Sequence, residues 1–377
     1  MCRKKTVSLV IIFARKLDQG GAERQIVTLA KGLRNDGQNV HVVLFYSGGK
    51  FDNELVNSGV PVHHIGKRGR WDIFGFLFRM TKTFRKLRPT IIYSILDIPN
   101  ILSVLLYPIS GRPKLIWGIR AAGMEMHHYD WLSRFVSKLE AILSVAPHKT
   151  IANSQAGKDW AIKRGFPAQK IAVIENGIDT RRFKFEATGR DHVRQLWNIG
   201  KNEIALGIVA RLDAMKDIPN FLKACSLLDK RHDRLRFVCI GSGPSAYQSR
   251  LASYASELGI AERLIWAGSQ SDMPATFSAL DIVVSSSLGE GFSNAIAEAM
   301  ACERPCVVTN VGDSARIVST VGEIVPPRDS TALATAISKI LVRNKNDPSL
   351  GKQSRARILE EFSVSRMIDR TKIEINR

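Results

Sequence analysis

The segment SSSLGEGFSNAIAEAMA, residues 285–301, gathers the densest set of groups in the chain that could act on a ligand. It follows an apolar run at 281–285 that reads as a strand, and the spacing from Asn294 onward reads as a helix. Ser293 stands at the N-cap position. A helix starting there turns its first backbone N–H groups and the positive end of its dipole towards the space beyond the strand ends, which suits a diphosphate. Gly289 and Gly291 flank Glu290 and let the backbone approach a ligand closely. Glu298 lies inside the helix, so the two carboxylates can address different parts of one molecule. The same spacing also fits a capped surface helix with two solvated glutamates, and the residues alone leave both readings open.

Such a loop needs a strand and a helix to hold it, and the rest of the chain is made of those units. Strands are expected at 6–14, 39–45, 90–95, 114–119, 149–153 and 171–175, then at 204–209, 235–240, 263–267, 281–285, 305–309 and 322–325. These Val- and Ile-rich runs are continuous rather than alternating, as in strands covered on both faces. Helices are expected at 22–34, 72–88, 131–145, 217–230, 246–258 and 294–302. This is the pattern of doubly wound, parallel α/β sheets. Twelve strands exceed one comfortable sheet, and the order of strand, Gly-rich loop and helix restarts near residue 204. The polar stretch 183–203 is therefore the expected hinge between two Rossmann-like halves, residues 1–190 and 191–354. A C-terminal helix of about 355–377 is expected to pack back on the first half.

Length and composition agree. A chain of 377 residues suits two or three domains with a substantial core, and 45% apolar with 24% charged residues excludes disorder. The longest apolar stretches, Val7 to Ala14 and Ile101 to Ile109, fall short of the ~20 residues that a membrane-spanning helix needs. The basic then apolar start imitates a signal peptide. It leads straight into DQGGAERQ without a small-residue cleavage site, so a buried first strand is expected. Five cysteines (Cys2, Cys225, Cys239, Cys302, Cys306) form no C-x-x-C pair, which argues against a disulfide framework or a zinc site and for a reducing cytosol.

The element E-G-F-x-x-x-x-x-E-A-M-A resembles the E-x7-E element of family 4 retaining glycosyltransferases. GGAERQIVTLAKGL (20–33) is similar to the family's first Gly-rich loop and helix, and VIENGID (173–179) to its N-G-I/V-D element. GIVARLDAMKDI (207–218) resembles its G-R-L…K-G element, CIGSGP (239–244) its G-x-G-P turn, and PCVVTNVGD (305–313) its P-V-V strand and loop. The resemblance implies the α/β GT-B fold, two Rossmann-like parallel-sheet domains facing each other across a cleft. It implies a glycosyltransferase of the polysaccharide or lipopolysaccharide type, moving a sugar with retention from a nucleotide-sugar to a lipid-linked or polysaccharide-precursor acceptor. UDP is the family's commonest donor nucleotide, with GDP and ADP still open.

By the same resemblance Glu290, Arg211 and Lys216 belong to the catalytic set, and Arg120, which departs from the family's pattern, joins them by its place after the strand at 115–119. Arg211 and Lys216 would clamp the donor diphosphate, one as a planar fork and one as a point charge. Glu298 would accept hydrogen bonds from the ribose, and Glu290 from the transferred sugar. Gly291, Phe292, Ser293 and Asn294 would bring backbone N–H groups to sugar and phosphate. Gly241 and Gly243 would mark a turn near the nucleotide, and Gly20 and Gly21 a loop facing the donor phosphates. Many family members carry a histidine after the strand at 115–119; this chain has Arg120 there, a fixed positive charge, with His127 and His128 following and given no catalytic role. No D-x-D triplet occurs, so no metal and no cofactor beyond the co-substrate are expected, with cationic groups and a helix dipole neutralising the leaving diphosphate.

Net charge is +20, concentrated in residues 1–190, which hold 31 Lys/Arg against 14 Asp/Glu; the remainder holds 24 against 21. Such a field attracts nucleic acid, anionic lipid or a phosphorylated substrate. Residues 67–88 interleave cations with Trp71, Phe74, Phe76, Phe78 and Phe84. A helix is expected there with Phe74, Leu77, Phe84 and Leu87 inward and a basic outer face lying on an anionic membrane. A cytoplasmic protein peripherally attached to the inner face of the cytoplasmic membrane follows. A sugar-nucleotide epimerase or another GT-B enzyme is the alternative. A nucleic-acid partner is not expected, because the pI of about 10.0 is accompanied by no zinc spacing, RRM-type motif or basic heptads.

Overall fold

The computed structural model describes residues 8–18, 20–69, 71–120, 131–229 and 234–377; His127, His128 and Cys2 lie outside them. The chain divides into two compact units, Met1–Gly177 with Val364–Arg377, and Ile178–Ser363.

The first unit holds a parallel sheet of β1 (Leu9–Ala14), β2 (Asn39–Leu44), β3 (Val62–His64), β4 (Ile91–Ile95), β5 (Lys114–Ile119), β6 (Lys149–Ala152) and β7 (Ile171–Val173), in the order β3-β2-β1-β4-β5-β6-β7. The apolar run at β1 is fully buried from Val10 to Phe13, as a central strand covered by helices on both faces must be. Strand β3 is absent from the sequence expectation. It is a three-residue edge strand, polar at His63 and His64 and preceded by Pro61, and gives no apolar run to read.

The second unit repeats the plan with β8 (Ile204–Val209), β9 (Leu235–Ile240), β10 (Leu264–Gly268), β11 (Ile282–Ser285), β12 (Cys306–Thr309) and β13 (Glu323–Val325), in the order β10-β9-β8-β11-β12-β13. Strand β8 pairs in parallel with β9 on one side and β11 on the other, with Leu206, Gly207 and Ile208 opposite Ile282, Val283 and Val284. Winding reverses between β8 and β11, so the helices that follow them go to opposite faces of the sheet and leave a crevice at the carboxyl ends of the strands.

The boundary at Gly177/Ile178 precedes the expected hinge, and 183–203 lies within the second unit. Its helix Ala187–Leu196 sends Arg190 and Arg194 to Asp281 at 2.7 and 3.1 Å, ahead of β11. The chain returns at Ser363/Val364 rather than near 355. Helix Leu350–Glu361 stays with the second unit, where Arg355 donates to the carbonyls of Phe183 at 2.7 Å and Thr180 at 2.9 Å. Helix Val364–Asn376 joins the first unit by burying Ile368 against helix Gly21–Asn35 and pairing Arg370 with Glu175 at 2.5 Å.

Helix Ile73–Leu87 forms as expected, with Phe84 inward and Leu77 and Leu87 packed against the same core, but Phe74 does not belong to the buried face. Its buried residues are Phe76, Met80 and Phe84, an i, i+4, i+8 row, while Phe74 is 88% exposed.

Candidate active site

Two loops meet at the carboxyl ends of β8 and β11. The first, 210–217, makes a short 3-10 turn at Ala214–Lys216, nucleated by the Asp213 carboxylate, which accepts from the Met215 backbone N–H at 3.0 Å. The second, 286–293, leads into helix Asn294–Ala301. They are stitched together: Leu288 N–H donates to the Met215 carbonyl at 2.8 Å, and the Ser286 hydroxyl donates to the carbonyls of Lys216 (2.8 Å) and Asp217 (2.9 Å).

This stitching brings two of the expected residues into contact. Lys216 Nζ lies 2.6 Å from Glu290 Oε1, with both side chains mostly buried. Ser287 Oγ donates to the same carboxylate oxygen at 2.8 Å, and Ser287's own carbonyl is held by Thr309 Oγ1 at 2.7 Å. The loop after β12 supports the arrangement from below. Asp313 N–H donates to the Gly291 carbonyl at 2.9 Å, and Gly312, at φ +56°, passes so close that a Cβ there would sit 2.2 Å from the Glu290 carbonyl oxygen. Arg211 leaves the end of β8 but is not drawn into the contact; its side chain is 84% exposed and pairs with Asp213 at 3.2 Å.

The remaining expected residues of this unit fall around the same crevice in different ways. Ser293 occupies the N-cap, yet its hydroxyl accepts no bond from the first turn of the helix. Phe292 is a core residue, its ring edge-on to Phe362 at 5.4 Å, so only its backbone is available to a ligand. Asn294 and Glu298 are part-buried on the helix. Gly241, at φ +133°, marks a close approach of two backbones: a Cβ would sit 1.9 Å from the Ala210 carbonyl oxygen. The G-S-G-P turn therefore packs directly on the 210–212 loop, where Leu212 N–H donates to the Ser242 carbonyl at 2.9 Å.

Asp217 stands next to Lys216 in the left-handed region, at φ +43°. Burial raises its carboxyl above the ordinary value, against the lowering effects of the Asn220 N–H and the Arg328 charge. Tyr247, raised first by burial and then by the charges of Asp217 and Asp213, closes that side. Ser286, Ser287, Asp217 and Thr309 are the polar groups that sequence reasoning did not single out. The serine run directly ahead of Glu290 was the available signal for two of them.

In the first unit, Gly20 and Gly21 start the helix that follows β1. Arg120 leaves the end of β5; its Nη1 donates to Asn176 Oδ1 at 2.8 Å, and Nη2 lies 3.5 Å from the hydroxyl of Tyr93, a buried phenol whose pKa that burial raises. The Arg120 Nε is buried without a hydrogen-bond partner among the described residues. Chemically, the second unit offers an ammonium, a carboxylate and a helix start beside one another at a strand-end crevice, and the first offers a guanidinium at the end of β5.

The family model described as Glycosyltransferase Family 4 matches residues 19–182, and that described as Glycosyl transferases group 1 matches 203–343. The chain is 24% identical over 312 residues to the UDP-Gal:alpha-D-GlcNAc-diphosphoundecaprenol alpha-1,3-galactosyltransferase of Escherichia coli, covering 78% of this chain and 77% of that protein. It is 24% identical over 347 residues to the capsular polysaccharide biosynthesis glycosyltransferase CapM of Staphylococcus aureus, covering 88% of each. Among solved structures, Anabaena HepE in complex with UDP-glucose superposes with a TM-score of 0.85 at 22% identity, over 98% of this chain and 99% of that one, and shares its GT-B fold.

Proposed function

We propose that this chain, which belongs to glycosyltransferase family 4, moves a sugar from a UDP-sugar onto a lipid-diphosphate-linked or polysaccharide-precursor acceptor in cell-surface glycan synthesis, retaining the anomeric configuration and using no metal ion. The observation that carries the reading is the Lys216–Glu290 pair at the winding reversal between β8 and β11. Support for the donor comes from HepE, described with UDP and with UDP-glucose, and for the acceptor from the Escherichia coli relative, named for a diphosphoundecaprenol-linked sugar.

An arriving diphosphate competes for the Lys216 ammonium and releases Glu290 to accept from a hydroxyl of the donor sugar, while Ser287 keeps the carboxylate aimed. Arg211 swings from its exposed position onto the phosphates, and the start of helix Asn294–Ala301 adds its dipole. The bond from the anomeric carbon to the diphosphate oxygen breaks with development of an oxocarbenium-like centre. The acceptor hydroxyl attacks from the face the diphosphate leaves, and its proton passes to the departing diphosphate. Lys216, Arg211 and the helix stabilise that leaving charge. Acceptor recognition is assigned to the first unit, with Arg120 as a fixed charge for the acceptor's phosphates. No helix among the described residues is long and apolar enough to cross a membrane. A lipid-linked acceptor therefore calls for peripheral attachment, on the inner face of the cytoplasmic membrane, through the basic first unit.

The test is transfer from a panel of α-linked UDP-sugars to a short-chain polyprenyl-diphosphate-linked sugar in excess EDTA, with the product's anomeric configuration read by NMR. An α-linked product formed at an undiminished rate is expected. A β-linked product, or a rate abolished by chelation, contradicts the retaining, metal-free reading.

A further inference from the structure

One face of the first sheet carries three helices side by side. Helix Ile73–Leu87 packs Phe76 and Phe84 onto Phe45 and Phe13, at ring distances of 5.0 and 5.1 Å. Helix Asp97–Leu106 shares that cluster through Leu102 and Leu106. Helix Trp131–Leu143 packs on helix Asp97–Leu106, where Asn100 donates to Glu140 at 2.9 Å.

The outer surfaces of the flanking two helices, with the turn just before the first of them, are aromatic. Trp71, Phe74 and Phe78, spaced three and four apart, are 86%, 88% and 70% exposed; Trp131 and Phe135, spaced four apart, are 71% and 57% exposed. Every Trp and Phe of the chain is among the described residues, and these five are the only ones more than half exposed. Isolated exposed apolar residues are ordinary, but two clusters of large aromatics on one layer mark a surface that something covers.

Charge identifies what covers it. Helix Ile73–Leu87 contributes Arg79, Lys82, Arg85 and Lys86 and not one acidic residue. Asp72, just before it, is already paired with Arg79. Helix Trp131–Leu143 contributes Arg134 and Lys138, and its single acid, Glu140, is buried and paired with Arg164 at 2.8 Å. Exposed aromatic side chains on two cation-bearing helices, with no unpaired acid on either helix, match the headgroup region of an anionic bilayer. There, aromatic rings sit at the boundary between water and acyl chains while Lys and Arg meet lipid phosphates.

We propose that this helix layer is a membrane-docking face on which Trp71, Phe74, Phe78, Trp131 and Phe135 insert into the interfacial region of an anionic phospholipid bilayer. It deepens, and rests on, the reading of a lipid-linked acceptor. It also assigns attachment to inserted aromatic side chains on two helices rather than to a basic surface alone.

The experiment uses the full chain with vesicles of phosphatidylcholine alone or with about 30% phosphatidylglycerol, read by flotation at low and high salt. Wild type is expected to float with the anionic vesicles, and raising salt to weaken this only in part, since screening removes the charge attraction and leaves the apolar insertion. Phe74→Ser with Phe78→Ser, and separately Trp131→Ser with Phe135→Ser, should each lower partitioning by about tenfold or more. Melting temperature and transfer to a short-chain, water-soluble acceptor should not change, because these side chains touch neither the core nor the transfer site. Wild-type flotation in both double variants, or no flotation of wild type while it still transfers to the soluble acceptor, overturns the proposal and leaves the transferase reading standing. Failure of transfer to every acceptor, with flotation intact, overturns the transferase reading instead. A wild-type dimer that the Phe74→Ser, Phe78→Ser variant dissociates would assign the face to a second copy of the chain and likewise overturn it.

Discussion

Replacing Lys216 by Ala removes the one ammonium that touches Glu290 among the described residues and leaves that carboxylate held by Ser287 Oγ at 2.8 Å. Two effects follow, of opposite weight in the two halves of the reaction. The loss of one preorganised donor to the leaving diphosphate should cut turnover about 10²–10³-fold, or roughly 2.7–4 kcal/mol of transition-state stabilisation. A charge-assisted hydrogen bond to UDP itself is worth about 1.5–3 kcal/mol, so UDP should bind about 10- to 100-fold more weakly. Glu290→Gln should behave differently. It keeps the side-chain shape but no longer neutralises an ammonium 2.6 Å away, so UDP affinity should hold or rise while turnover falls. Initial rates of UDP release with a lipid-linked acceptor, together with UDP titrations followed by thermal shift, separate the two. Because both groups act on one ligand, the double variant should lose less than the product of the single losses. Lys216→Ala with wild-type turnover, or Glu290→Gln with lost UDP binding, would refute the assignment of phosphate to the lysine and sugar to the glutamate.

Ser287→Ala should reduce turnover about tenfold through a loosened Glu290, with a melting temperature within about 2 °C of wild type, and Ser287→Thr should restore most of it. A loss of stability without a loss of rate would make the serine merely structural. Asp217→Asn should stabilise the protein at neutral pH by about 1–2 °C. The folded pKa of Asp217 is raised, so its ionisation is penalised in the fold; the penalty is absent below the ordinary value of 3.8 and grows as pH rises through the raised one. Asparagine tolerates the left-handed φ of +43° and removes the charge, so the gain should be full at neutral pH and disappear in acid. Thermal melts at pH 7.5 and pH 4 check this, and a gain equal at both would exclude a charge origin.

Much of the architecture is readable from the chain because central parallel strands leave continuous Val- and Ile-rich runs, and twelve of the thirteen strands among the described residues fall where such runs lie. The exception, β3, is an edge strand with a half-exposed, His-containing sequence that no periodicity distinguishes from a loop. The exposure of Phe74 on helix Ile73–Leu87 has a similar cause. Phenylalanines at 74, 76, 78 and 84 allow more than one helical stripe, and only the sheet beneath, with Phe13 and Phe45, chooses the 76/80/84 row. At the site, Glu290 and Lys216 are visible as motif residues, but their contact joins positions 74 apart in sequence. It depends on β8 and β11 being neighbours and on the serine bonds that stitch their loops, neither of which a local pattern encodes. The exposed position of Arg211 is equally invisible to spacing alone.

The most direct measurement is the melting temperature of the purified chain with UDP, GDP, ADP and CMP at equal concentration, without added metal and with EDTA present. A ligand at 100-fold its Kd adds ~2.7 kcal/mol to folding, and in a chain of this size that is a shift of several degrees. A selective shift with UDP, lost in Lys216→Ala, is the expected result. No shift with any nucleotide, or a shift that Lys216→Ala leaves untouched, would contradict a donor site built on the Lys216–Glu290 pair.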